Sequence, residues 1–136
     1  NAQIENPVKW NYSAKKIGEK TFELHITAMI DGNWHLYSQD AGEDIVSTIF
    51  NFMVNPLVKF DGKIKESGDL KKVYDPNFRS TLKFYDEQVE FIQKVKIKSV
   101  ANTLVNGTVT YIVCSDKDKK CLPPKKIPFS IKINGK

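Results

Sequence analysis

Apolar and polar residues alternate along much of this 136-residue chain. The clearest run extends from Phe22 to Ile30, where every second residue is apolar and most residues between them are polar. A period of two is typical of a β-strand that buries one face. No segment shows the i, i+3, i+4, i+7 spacing of an amphipathic helix. The pattern therefore predicts a protein built from strands.

Turn residues divide the chain into about eight to ten short strands. Asp31-Gly-Asn33 and Asn55-Pro56 mark two boundaries, and Asp61-Gly62 predicts a hairpin turn between two short strands. This arrangement predicts an all-β sandwich or barrel, and the chain length predicts a single domain over residues 1–136. The predicted strands are 8–12, 22–30, 34–37, 47–54, 57–60, 63–65, 85–98, 105–114 and 127–133.

The charge pattern excludes some classes of partner. The net charge is +5, and it comes almost entirely from lysine because Arg79 is the single arginine. Proteins that read nucleic acids usually depend on arginine, so we expect a solvated lysine-rich surface and no nucleic-acid partner. No stretch reaches the ~20 apolar residues of a transmembrane helix. The first residues carry no signal sequence, which is expected of a cytosolic protein or of a mature or trimmed chain.

Cys114 and Cys121 are the only cysteines, and they bracket a short lysine-rich loop after the predicted strand 105–114. A disulfide across such a loop stabilises a fold by only ~2–3 kcal/mol, and a chain of this length can bury a core without it. Lys117, Lys119 and Lys120 favour thiolate formation, partly offset by neighbouring aspartates. A redox couple, a structural disulfide and a pair of free thiols all remain open on these grounds.

The remaining candidate chemistry is weak. The only histidines, His25 and His35, would both have to join the two cysteines in a zinc site, and neither spacing fits one. We therefore expect no metal and no cofactor. There is no glycine-flanked nucleophile and no phosphate-binding loop. Two binding functions stay open: an immunoglobulin-like adhesion module with a structural disulfide, and a peptide- or carbohydrate-binding sandwich that uses Trp34 and Tyr37.

Three segments resemble one known family: Asp31-Gly-Asn-Trp-His-Leu-Tyr-Ser-Gln39, Thr110-Tyr-Ile-Val-Cys114 and Cys121-Leu-Pro-Pro124. Together they are similar to the N-terminal periplasmic domain of the thiol–disulfide interchange protein DsbD. The resemblance implies a monomeric immunoglobulin-like β-sandwich in the periplasm, tethered to the inner membrane in the full-length protein. It implies that electrons arrive from a membrane electron-transfer domain of the same protein. They would leave to thioredoxin-like proteins through transient mixed disulfides.

The resemblance also assigns roles to residues. Cys121 corresponds to the thiol that attacks the partner, and Cys114 to the one that resolves the mixed disulfide. The family places Tyr-Leu-Tyr beside the cysteines, where this chain has His35 and Tyr37. The histidine is a departure that would alter local proton binding. The loop between the cysteines is also longer and richer in lysine than the family implies.

A cap over the disulfide is the last feature that the resemblance implies. Family members cover the sulfurs with a phenylalanine and an acidic residue until a partner arrives. The nearest match is Tyr74-Asp-Pro-Asn-Phe78, which makes Phe78 the shield and Asp75 the acidic residue. The alternative for Phe78 is an ordinary aromatic residue of the core.

Overall fold

The computed structural model describes residues 5–136, which form eleven β-strands. Within these residues there is no helix of the length and apolar character needed to cross a membrane. The strands are β1 (Val8–Gly18), β2 (Thr21–Ile30), β3 (Trp34–Tyr37), β4 (Ile49–Phe52), β5 (Val58–Gly68), β6 (Lys71–Asp75), β7 (Ser80–Tyr85), β8 (Gln88–Ile97), β9 (Thr103–Tyr111), β10 (Val113–Ser115) and β11 (Lys125–Ile133).

The strands form three antiparallel sheets. Sheet I has the order β1-β2-β8-β5, sheet II the order β10-β3-β7-β6, and sheet III the order β11-β9-β4. Every second residue of β2 and β8 points from one face of sheet I into the main core. There these residues pack with the buried residues of β9 and β11 from sheet III. The predicted all-β immunoglobulin-like β-sandwich is confirmed.

Sheet II contributes its two faces to different clusters. Leu36, Tyr85 and Val113 point into the main core. The opposite face carries Tyr37 and Cys114 in a second, smaller cluster. Successive side chains of a strand point to opposite faces. Tyr111 and Val113 therefore join the main core, whereas Ile112 and Cys114 join the second cluster. The second cluster therefore contains one of the two cysteines, Cys114.

The predicted hairpin turn at Asp61-Gly62 is wrong. Both flanking segments pair with the same strand, β8, so β5 is one strand whose register shifts between Asp61 and Lys65. Gly62 has φ of +79°, a conformation that glycine adopts without strain, and it allows the extra residues to bulge out of the ladder. The side-chain amide of Gln93 donates to the carbonyls of Asp61 and Gly62 and stabilises this bulge.

Two other predicted strands are divided, and a hairpin was missed. Tyr85 ends β7, and Glu87, with φ of +68°, turns the chain before β8 begins. The predicted strand 105–114 breaks at Ile112, where the chain leaves sheet III and enters sheet II as β10. Most of β6 is exposed and shows no alternation of apolar residues, so its pairing with β7 left no hydrophobic signal.

Candidate redox site

Cys114 and Cys121 form a disulfide with an S–S distance of 1.99 Å. The two residues face each other as an isolated antiparallel bridge. Its flanking hydrogen bonds run from the Ser115 N–H to the Lys120 carbonyl, at 2.8 Å, and from the Leu122 N–H to the Val113 carbonyl, at 3.0 Å. This is the non-hydrogen-bonded kind of pair, in which opposing side chains come closest. The backbone therefore brings the two sulfurs together.

The two cysteines differ in exposure. Cys114 lies on β10, one of the two edge strands of sheet II, and only 3% of its surface is exposed. It packs in the second cluster with Tyr37, Leu82 and their neighbours. Cys121 lies outside the named strands and is exposed. Cys121 is therefore the more accessible of the two residues.

The loop between the cysteines is held by its own hydrogen bonds. The Asp116 N–H donates to the Asn33 carbonyl at 2.7 Å, and this ties the loop to the turn before β3. The Lys119 N–H donates to the Ser115 carbonyl at 3.1 Å. Lys119 has φ of +60°, which closes the turn. The loop geometry therefore does not depend on the disulfide alone.

The loop also carries opposing charges. Its three lysines are exposed. The Lys120 N–H donates to Asp118 at 3.0 Å, and this hydrogen bond holds the pKa of the Asp118 carboxyl below its usual value. Asp118 therefore stays anionic near neutral pH and offsets part of the lysine charge.

His35 lies directly opposite Cys114 on the neighbouring strand. It is 8% exposed, and both ring nitrogens have partners. Nδ1 lies 2.6 Å from Oδ1 of Asp116, and Nε2 lies 2.9 Å from the Tyr37 hydroxyl. A carboxylate only accepts hydrogen bonds, so Nδ1 is the donor to Asp116. His35 thus joins the cysteine strand, the loop and Tyr37.

Tyr37 is 5% exposed and packs against His35 and Phe84. Burial, together with the negative charges of Asp75 and Asp116, raises the pKa of its hydroxyl to about 12. The Phe84 ring lies 4.5 Å from the His35 ring, measured between centroids. The hydroxyl therefore stays protonated and remains available as either donor or acceptor to His35.

The hairpin of β6 and β7 carries the two residues predicted to form a cap. Strand register places Asp75 on the same face as Leu82 and Phe84, the face that also bears Cys114. Phe78 lies in the turn at the tip of the hairpin and is 39% exposed, so it is not a core aromatic. Asp75 accepts hydrogen bonds from the N–H groups of Asn77, at 2.8 Å, and Phe78, at 3.4 Å, and shapes this turn.

Sequence reasoning missed three residues that complete the site. Asp116 was treated only as a charge in the loop, whereas it is the partner of His35. Leu82 and Phe84 are two residues apart in β7, and this short period-two spacing was the available signal for them. No group of three or more histidine, cysteine or acidic residues within 5–136 is arranged to hold a metal ion.

Glu66 connects the site to the main sandwich. From β5 its carboxylate accepts hydrogen bonds from the Ser38 hydroxyl at 2.8 Å, the Gln39 N–H at 2.8 Å and the Tyr85 hydroxyl at 2.6 Å. Ser38 and Gln39 directly follow Tyr37. The carboxylate therefore fastens the end of β3 to sheet I and fixes the strand that carries His35 and Tyr37.

Comparison with known proteins supplies the wider context. A family model described as the N-terminal domain of the thiol:disulfide interchange protein DsbD matches residues 3–132. A search of curated proteins finds no significant match.

Several solved structures are similar in fold, and three of them contain N-terminal domains of DsbD or ScsB. The N-terminal periplasmic domain of ScsB from Proteus mirabilis has a TM-score of 0.63 and 16% identity, and the match covers 96% of this chain and 47% of that one. This chain therefore spans about half the length of the ScsB structure. The reduced DsbD N-terminal domain of Neisseria meningitidis has a TM-score of 0.59 and 14% identity, and the match covers 92% of this chain and 86% of that one.

The third structure contains two proteins. It is the complex between the DsbD N-terminal and PilB N-terminal domains of Neisseria meningitidis, with a TM-score of 0.53 and 14% identity. The match covers 89% of this chain and 80% of that chain. At these identities, the three structures support the fold.

Proposed function

This chain belongs to the family of N-terminal domains of the thiol:disulfide interchange protein DsbD, and from that premise we propose that it exchanges electrons through Cys114 and Cys121. In this role it acts as a protein-disulfide reductase that relays electrons to oxidised thioredoxin-fold proteins. Its residues 1–136 act as one monomeric domain in the periplasm, tethered to the inner membrane in a longer protein. A membrane electron-transfer domain of that protein supplies the electrons.

The reaction begins with both cysteines reduced. The Cys121 thiolate attacks one sulfur of the partner disulfide, a Cys121–partner bond forms, and the second partner sulfur leaves as a thiolate that takes up a proton. Cys114 then loses its proton and attacks the Cys121 sulfur. The Cys114–Cys121 bond forms, and the first partner sulfur leaves with an electron pair and is protonated. The partner gains two electrons, and this domain becomes oxidised.

The difference in exposure between the two sulfur-bearing residues is the observation that carries the proposal. Cys121 is exposed at the end of the loop, whereas Cys114 is 3% exposed and packed among apolar side chains. An intermolecular attack requires the accessible residue. An intramolecular resolving attack requires only proximity to the other cysteine, and the antiparallel bridge supplies it.

The partner class follows from the family. One relative was solved as a complex between a DsbD N-terminal domain and a PilB N-terminal domain, so this fold accommodates a protein partner. In the same proposal Phe78 and Asp75 form a cap on the β6–β7 hairpin. The exposed Phe78 can be displaced when a partner docks.

Trapping of the mixed disulfide tests the proposal. Cys114→Ser removes the resolving thiol, and we expect Cys121 to form a stable adduct with an oxidised thioredoxin-fold protein, detected on non-reducing gels and by mass spectrometry. Cys121→Ser is the matched control and should form little adduct because Cys114 is buried. A stable adduct from Cys121→Ser alone would reverse the two roles. No adduct from either variant would reject the exchange function.

A further inference from the structure

His35 sits in a hydrogen-bonded arrangement that accepts either of its charge states. When the ring is neutral, Nδ1 donates to Asp116 and Nε2 accepts from the Tyr37 hydroxyl. When the ring is protonated, Nδ1 still donates to Asp116, and Nε2 donates to the same hydroxyl oxygen. Rotation of one hydroxyl is the only rearrangement required. A proton can therefore be gained or lost at a nearly buried position without loss of a hydrogen bond.

This arrangement lies beside the sulfur that resolves the mixed disulfide. His35 and Cys114 are paired across β3 and β10, and directly opposed residues hold their Cβ atoms about 4.5–5.5 Å apart. Both residues are nearly buried, and charges on neighbouring side chains interact strongly where water is largely excluded. A protonated imidazole next to Cys114 would stabilise the thiolate that the resolving step needs.

Charged groups approach His35 from the loop and from β6. Asp116 contacts the ring from the loop, and Asp75 lies on the same face of sheet II, from β6. Lys71 occupies that face as well, but it is paired with Asp69 at 2.9 Å. Phe84, which covers the ring from β7, is uncharged. Of these groups, Asp116 is the one that forms a hydrogen bond with the imidazole ring.

We propose that the Asp116–His35–Tyr37 chain is a positioning device that holds a positive charge beside Cys114 and so sets its thiolate population during resolution. Within it, His35 supplies the charge, Asp116 supports that charge from the loop, and Tyr37 satisfies the second ring nitrogen. The inference rests on the proposed function and adds three residues that would control the reactivity of Cys114. Protons lost by Cys114 and gained by His35 exchange with solvent, so no direct transfer between sulfur and ring is required.

The test measures the Cys114 thiolate without a partner protein. In the reduced Cys121→Ser variant, Cys114 is the only thiol, and its thiolate is followed by ultraviolet absorbance as the pH is raised. His35→Tyr, which removes the imidazole and keeps an aromatic side chain, should lower the thiolate fraction near neutral pH by about tenfold. His35→Gln is a second uncharged variant and should act in the same direction.

His25→Gln is the matched control. His25 is also held by two carboxylates, Glu23 at 3.1 Å and Glu90 at 2.9 Å, but it lies on sheet I away from the cysteines. Its substitution should leave the Cys114 titration unchanged. A titration that is equally insensitive to His35→Tyr and His35→Gln would overturn the proposal.

Asp116→Asn separates a charge device from a purely structural contact. With tyrosine at position 35, loss of the carboxylate should raise the Cys114 thiolate fraction because a nearby negative charge disappears. With histidine at position 35, Asp116→Asn also removes the carboxylate that stabilises the protonated imidazole. The rise in the Cys114 thiolate fraction should therefore be absent or reversed. Equal effects in the two backgrounds would contradict the coupling. Because no partner is used, these results are independent of whether mixed disulfides form.

Discussion

Reduction of the disulfide should leave this domain folded, because the proposed relay requires a folded domain in both redox states. The bond closes a loop between residues seven apart in sequence. The chain-entropy treatment gives such a loop about 2.5 kcal/mol of stabilisation. Domains of this size are usually stable by about 5–15 kcal/mol. The stabilisation lost on reduction is therefore smaller than the free energy of unfolding expected for the domain.

The packing supports the same expectation. The main core gathers residues of all three sheets and contains neither cysteine. The contacts from Asp116 to Asn33 and to His35, and that from Lys119 to Ser115, do not involve the sulfurs, so we expect them to remain after reduction. The second cluster retains Cys114 as a small apolar residue. Reduction should therefore change local freedom more than global packing.

Equilibrium unfolding in urea measures the difference. The oxidised and reduced forms are compared by circular dichroism and tryptophan fluorescence, with the reduced thiols kept intact by excess reductant. Reduction is preferable to a Cys114 substitution, which would also disturb the buried cluster. We expect a loss of about 2–3 kcal/mol in the free energy of unfolding and a nearly unchanged m value. A reduced form that is unfolded without urea would refute this reasoning and indicate a structural disulfide.

Two further predictions concern the surroundings of the sulfurs. Phe78→Ala should speed alkylation of reduced Cys121 several-fold because the proposed shield is removed. Tyr74→Ala is the control: it removes a 61% exposed aromatic residue from the same hairpin and should leave the rate unchanged. Equal alkylation rates in the parent protein and both variants would show that Phe78 does not shield Cys121. The pKa of Tyr37 is raised to about 12 by burial and by two carboxylates, so its contribution to stability is complete below about pH 10 and is lost as the pH rises from 10 to 12. Tyr37→Phe should therefore flatten the alkaline fall in stability, measured by urea unfolding across that range, and an identical pH dependence would contradict the assignment.

The strands of the sandwich could be predicted where one face is buried. β2 and β8 alternate strictly between core and solvent, and the burial of Phe22, Leu24, Val89 and Phe91 follows the sequence pattern. β6 could not be predicted in this way, because an exposed strand paired mainly through its backbone has no required apolar period. The Asp61-Gly62 pair was misread for a related reason. Positive φ at glycine serves a bulge as well as a turn, and only the shared partner strand distinguishes them.

The site was only partly visible in the sequence. Cys114 and Cys121 are close in the chain, and a disulfide between them was one of the alternatives that the sequence left open. The burial of Cys114 was not predicted. The contact between His35 and Asp116 joins residues 81 positions apart, and no local pattern predicts it. It arises because β10 pairs with β3 in a register that places Cys114 opposite His35. That register depends on the whole sandwich.

The reduction potential of the Cys114–Cys121 couple tests the central claim most directly. It is measured by equilibrating the domain in glutathione or dithiothreitol redox buffers and quantifying the alkylated dithiol by mass spectrometry. A working couple should lie above about −300 mV, within reach of exchange with thioredoxin-fold proteins. A structural disulfide should lie below that value. A potential well below −300 mV would therefore contradict the assignment of these two cysteines to electron transfer.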